Sequence, residues 1–140
     1  MHNYVAALKH GFALVRQSKL IRLDDLIQEQ QIIESNRAGV RKLPGTVLRN
    51  QATGEVVYTP PQHHDAILSL LNNLTAYIND TTLCDADPLV KMALIHHQFE
   101  SIHRFYDGNG RTGRILNILY LVAHDLLDLP VLHLSRYITQ

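Results

Sequence analysis

A chain of 140 residues with 46% hydrophobic content suits one domain around one buried core, which excludes a disordered chain. Its 13 basic and 13 acidic residues cancel, so no broad field draws it to nucleic acid or to an anionic membrane. The single cysteine, Cys84, has no internal disulfide partner and suits a reducing, cytoplasmic setting.

From Asn3 to about Gln17, Val5, Leu8, Phe12 and Val15 recur at helical spacing. A second helix is expected from Leu23 to Glu34, with Leu23, Leu26, Ile27 and Ile33 as its apolar positions, before "SNRAG" ends it. "TVLRN" and "EVVYT", separated by "QATG", read as a β-hairpin over about 46–59, with Gly54 free to take a positive φ. Pro60 and Pro61 stop the second strand, and Pro61 is placed to open a helix running to about Asn79. After the loop "DTTLCDADP", Asp87 is a suitable N-cap with Pro88 at the first helical position. That helix should reach about His103, with Met92, Ile95, Phe99 and Ile102 on its apolar stripe. Another should begin near Arg111 or Thr112. It is apolar nearly all round, and so belongs at the centre of the bundle. "ILNILYLVAHDLL" is too short to cross a bilayer and holds Asn117, His124 and Asp125, and no secretory leader is visible at the N-terminus. A break at Pro130 precedes a last short helix.

The chemistry concentrates in "HRFYDGNGRTGR", His103 to Arg114. Glycines permit backbone shapes that turn consecutive N–H groups toward an anion, and the following helix adds its unpaired N–H groups and positive dipole end. Arg111 and Arg114 share one face of that first turn. Two cations there oppose the dipole, a conflict that bound phosphate resolves. Asp107 among phosphate binders makes sense with a cation between, since Mg²⁺ takes one or two carboxylates plus phosphate oxygens. His103, across the loop, titrates in the range needed to accept a proton. The competing reading of the loop alone is an ordinary glycine-rich helix connector.

The whole stretch resembles the Fic signature, His-x-Phe-x-Asp/Glu-Gly-Asn-Gly-Arg-x-x-Arg, matched at His103, Phe105, Asp107, Gly108, Asn109, Gly110, Arg111 and Arg114. "PGTVLRNQATGEVVYTPP" is similar to the family's flap hairpin. "LVKMALIHHQFESIH" resembles the helix entering the motif, and "LPVLHLSRYI" the segment closing the core. The resemblance implies a mostly α Fic-type helical bundle with one β-hairpin flap, over residues 1–140. It implies transfer of AMP from Mg²⁺-ATP to a Ser, Thr or Tyr hydroxyl of a target protein. Under it His103 deprotonates the hydroxyl and Asp107 holds Mg²⁺. Gly108, Asn109 and Gly110 form the anion hole, Arg111 and Arg114 hold the outer phosphates, and Phe105 anchors the loop. Gln98 and Gln140 are expected near the nucleotide. Glycine at Gly110, where the phosphorylating Doc branch carries lysine, favours adenylylation. The flap's open edge would pair with an extended target segment.

Two departures stand out. Arg104 replaces the family's usual proline, which is expected to free the turn and add a cation beside the site. None of Glu29, Glu34, Glu55 and Glu100 stands in the family's inhibitory Ser/Thr-x-x-x-Glu-Gly/Asn context, so restraint of Arg114 is expected from a partner or from a segment of a longer chain. Two other functions compete with AMP transfer: removal of AMP by activated water, given a glutamate from elsewhere, and a nucleotide-sensing interaction module. His63 and His64 read as solvated helix starts, and His96 and His97 as upstream neighbours of the motif.

Overall fold

A computed structural model describes residues 2–130. Five helices and one hairpin make up these residues: α1 (His2–Ser18), α2 (Leu23–Glu34), β1 (Leu48–Arg49), β2 (Val56–Tyr58), α3 (His64–Asn79), α4 (Pro88–Ile102) and α5 (Asn109–Ala123). The mostly α class with a hairpin is as the sequence implies. The last expected helix and Gln140 lie outside the described residues.

α5 packs against α1, α2 and α4, while α3 covers α4 and touches α2. The near-uniform apolarity of α5 is the cause. Every residue from Ile115 to Val122 is buried, so no face is left for solvent. Around it gather Ala7 and Val15 of α1, Leu26 and Ile33 of α2, Ile67, Leu71 and Leu74 of α3, and Ile95, Phe99 and Ile102 of α4. No helix among the described residues is long and apolar enough to cross a membrane.

α4 begins as its sequence dictates: Asp87 Oδ1 accepts from the Leu89 amide at 2.8 Å, with Pro88 in the first turn. α3 does not. It starts at His64, three residues after Pro61, because Gln62 is occupied elsewhere. The Gln62 side chain accepts from Gly45 N at 2.7 Å and donates to Thr46 O at 2.9 Å, tying the two roots of the hairpin together. His64 is half-buried rather than solvated, its Nδ1 2.9 Å from Arg41 O. The hairpin strands are shorter than the β-branched runs suggest, with an irregular register between the Leu48–Tyr58 and Arg49–Val56 pairs. Its turn closes through Gly54 at φ 74°, whose N–H bonds Asn50 O. Val56, Val57 and Tyr58 are exposed, and Tyr58 rests the hairpin on α4 by donating its hydroxyl to Ser101 O at 2.9 Å.

Candidate active site

α4 ends at Ile102 because His103 turns into the left-handed region, φ 46° and ψ 54°. That conformation is uncommon for residues other than glycine and asparagine and needs outside support. Arg41, fully buried, supplies it: its Nε donates to His103 O at 2.7 Å, its Nη2 to Pro61 O, and its own N–H to Arg104 O at 2.9 Å. One arginine therefore satisfies a carbonyl at the helix end and joins the hairpin root to the turn carrying His103. Burial lowers the His103 pKa below 6.5; Glu100 pulls it up and Arg41 pushes it down. A lowered pKa favours the neutral imidazole, the form able to accept a proton.

Beyond His103 the chain plunges inward. Phe105 is fully buried among core residues, as the motif implies. Asn109 then closes the loop with two reciprocal bonds: Oδ1 accepts from Phe105 N at 3.0 Å and Nδ2 donates to Phe105 O at 2.8 Å. Its side chain is thus spent on loop structure, leaving its main-chain N–H for an anion. Gly108, at φ 81°, opens α5 and accepts at its carbonyl from both Thr112 N and Thr112 Oγ1, each at 2.9 Å. α5 begins at Asn109, two residues before the expected Arg111, because this turn already closes on Gly108. The N–H groups of Asn109, Gly110 and Arg111 precede that first helical bond and lie at the positive dipole end.

Glycine is required at Gly108 twice over, by its φ and because a Cβ there would stand 2.5 Å from Glu34 Oε1. At Gly110 packing demands nothing: a Cβ would meet only Arg114 Nη1, at 3.9 Å. Asp107 is exposed, accepts at Oδ1 from Gly108 N at 2.6 Å, and lies 3.7 Å from Arg111 Nη2. Arg114 is exposed, with Tyr4 of α1 beside it. His103, Asp107, Gly110, Arg111 and Arg114 share one cavity of about 280 Å³. His103 also borders a larger cleft of about 750 Å³ beneath the hairpin, lined by Leu48, Tyr58, His96, His97 and Glu100. His103 thus stands where the smaller cavity meets a cleft beneath the hairpin. Gln98 is exposed and faces another cleft, with Leu70, Tyr77 and Leu94.

Several residues that shape the site carry no motif signal. Glu34, nearly buried, pairs with Arg111 at 2.6 Å, so one motif arginine is already held by a carboxylate of this chain. Gln30 donates to Asp107 O at 3.2 Å. Glu29 and Gln30 occupy the stripe between Leu26 and Ile33, and this polar break in an apolar period was a readable sign of buried polar work. Arg41, a lone arginine outside any motif, offered none.

Arg104 corrects an expectation. It is not a solvated cation beside the site but fully buried, its guanidinium 4.2 Å from the Phe99 ring centroid and 4.3 Å from that of Phe105. Burial pushes its pKa down to about 9, against the attraction of Glu29 and Glu100. Burial likewise pushes Glu29 up to about 8, Arg104 opposing.

The Fic/DOC family model matches residues 21–121. The chain belongs to the Fic/DOC family. It is 27% identical over 120 residues to a protein adenylyltransferase of Caenorhabditis elegans, covering 82% of this chain and 23% of that relative. It is 34% identical over 83 residues to a probable protein adenylyltransferase of Aquifex aeolicus, covering 59% and 25%. The chain spans about a quarter of the length of these relatives. Among solved structures, a Fic-domain signaling protein of Bacteroides thetaiotaomicron superposes with a TM-score of 0.68 at 21% identity, covering 87% of this chain and 48% of that one. The Fic-1 protein of Caenorhabditis elegans does so at 0.67 and 22%, covering 87% and 35%. These two likenesses establish the Fic fold of the bundle.

Proposed function

We propose that this Fic domain transfers AMP from ATP to a hydroxyl of a target protein. The observation that carries the reading is the convergence of His103, the N–H groups opening α5, and Arg111 and Arg114 on one small cavity. His103 takes the proton of the target hydroxyl. The hydroxyl oxygen forms a bond to the α-phosphorus, the anhydride bond to the β-phosphate breaks, and pyrophosphate leaves with the electron pair. The N–H groups of Asn109 and Gly110 face the anionic oxygens, and the two arginines hold the outer phosphates. Glycine at 110, which packing does not require, keeps that space open.

The donor set fits Mg²⁺ as a ligand shared with phosphate. Among the described residues no three His, Cys, Asp or Glu side chains are grouped to hold a metal alone, and Asp107 offers one exposed carboxylate in the same cavity. Bound there, the ion supplies neutralisation of phosphate charge. The cleft between hairpin and α4, with the unpaired edge of a two-stranded sheet above it, suits an extended target segment whose hydroxyl enters beside His103. Family names of the relatives favour transfer over the sensing and AMP-removing alternatives. Incubation with Mg²⁺-ATP and candidate proteins tests the reading, by a mass gain of one AMP that His103→Ala abolishes. Equal transfer by that variant overturns the assignment of the base.

A further inference from the structure

We propose that Arg104 is a positioning residue of this site: a buried guanidinium, clasped by two aromatic rings, that fixes the backbone leading from His103 into the phosphate loop. The inference rests on the transfer reading above for its kinetic arm only.

Arg104 follows the proton-accepting histidine directly, and its side chain is fully buried between Phe99, one turn back on α4, and Phe105, the next residue. Its charge is opposed from two elements, by Glu29 of α2 and Glu100 of α4. Room for both carboxylates is cut by glycine. A Cβ on Gly11 of α1 would collide with Glu29 Oε1, and one on Gly113 of α5 would stand 2.5 Å from Glu100 Oε1. Four helices are thus shaped around one cation. Its nitrogens make no hydrogen bond among the described residues, and both Glu29 oxygens are likewise unbonded.

Such an arrangement is a poor device for stability, because an apolar side chain of similar size would fill the place without desolvating charge. It is a good device for placement. The cation is held at one point, between two ring faces 4.2 and 4.3 Å away, and its nitrogens have no other partner among the described residues. Its backbone carbonyl is meanwhile held by Arg41 N. Side chain and main chain together fix the residue after His103, and with it the left-handed turn that aims the imidazole.

The test compares Arg104→Met, Arg104→Lys and Phe99→Leu in the full-length protein. It reads kcat and KM for Mg²⁺-ATP, and hydrogen exchange at the Phe105 amide, which bonds Asn109 Oδ1. Arg104→Met should fold, lose about tenfold or more in kcat with KM within about threefold, and exchange the Phe105 amide about tenfold faster. Arg104→Lys, keeping the charge, should restore most of that kcat. If Arg104→Met does not fold, Phe99→Leu, which removes one of the two ring faces, carries the decision, with kcat lowered about threefold or more and faster exchange at Phe105. Wild-type kcat and wild-type exchange in the folded variant overturn the proposal. A wild-type protein that transfers no AMP defeats the transfer reading instead, while the exchange measurement, made without nucleotide, still decides the role of Arg104.

Discussion

Single residues in this site are set by their neighbours more than by their type. Burial holds the pKa of His103 down, which favours the neutral imidazole that the proposed transfer requires. Its neutral form is the working one, so kcat/KM for transfer should fall as pH drops through a midpoint below 6.5. A pH–rate profile with its acid midpoint at or above 6.5 would contradict that environment. Arg111 is paired before any nucleotide arrives. Glu34 holds it at 2.6 Å and places its own charge against Gly108, where phosphate should sit. The proposed transfer then makes exchange of carboxylate for phosphate part of ATP binding. Because Arg111 is partly exposed, the pair is worth about 1 kcal/mol at most after screening. Glu34→Gln, which keeps the volume beside Gly108, should tighten ATP about fivefold by titration calorimetry. Unchanged or weaker binding would remove Glu34 from the phosphate site. None of the four glutamates was singled out by sequence context, since pairing across α2 and α5 depends on tertiary packing.

Elements were legible where a local rule determines them. Asp87 and Pro88 announce the start of α4, and Asp87 does cap it. Asp87→Ala should cost about 1 kcal/mol, seen as a lowered Tm or denaturant midpoint with unchanged slope. A variant as stable as the parent would show the cap to be redundant. The stripe of α4 and the all-round apolarity of α5 foretold which faces are buried. Boundaries failed where side chains act over distance. Pro61 is a sound helix opener, yet Gln62 is drawn to Gly45 and Thr46, and α3 waits until His64. α5 starts at Asn109, ahead of the start expected near Arg111 or Thr112, because Gly108 takes the N-cap. Arg104 is the plainest case. Charge at a loop position reads as solvated, and only the meeting of α2, α4 and α5 shows the rings and carboxylates that bury it.

At the scale of the whole molecule, the bundle presents one chemical edge. The central helix α5 starts at the loop, α4 ends there, Glu34 at the end of α2 meets Arg111, and Tyr4 near the start of α1 stands beside Arg114. The hairpin is fastened over that edge through Arg41, Gln62 and Tyr58. His103, Asp107, Gly110, Arg111 and Arg114 share one cavity, while contacts to the loop come from Arg41, Gln30 and Glu34, which the signature does not contain. The most direct measurement is intact-mass analysis of candidate target proteins after incubation with the full-length protein and Mg²⁺-ATP. The account predicts a gain of one AMP on a hydroxyl residue, abolished by His103→Ala. A gain of one phosphate instead, or equal AMP gain with His103→Ala, would contradict it.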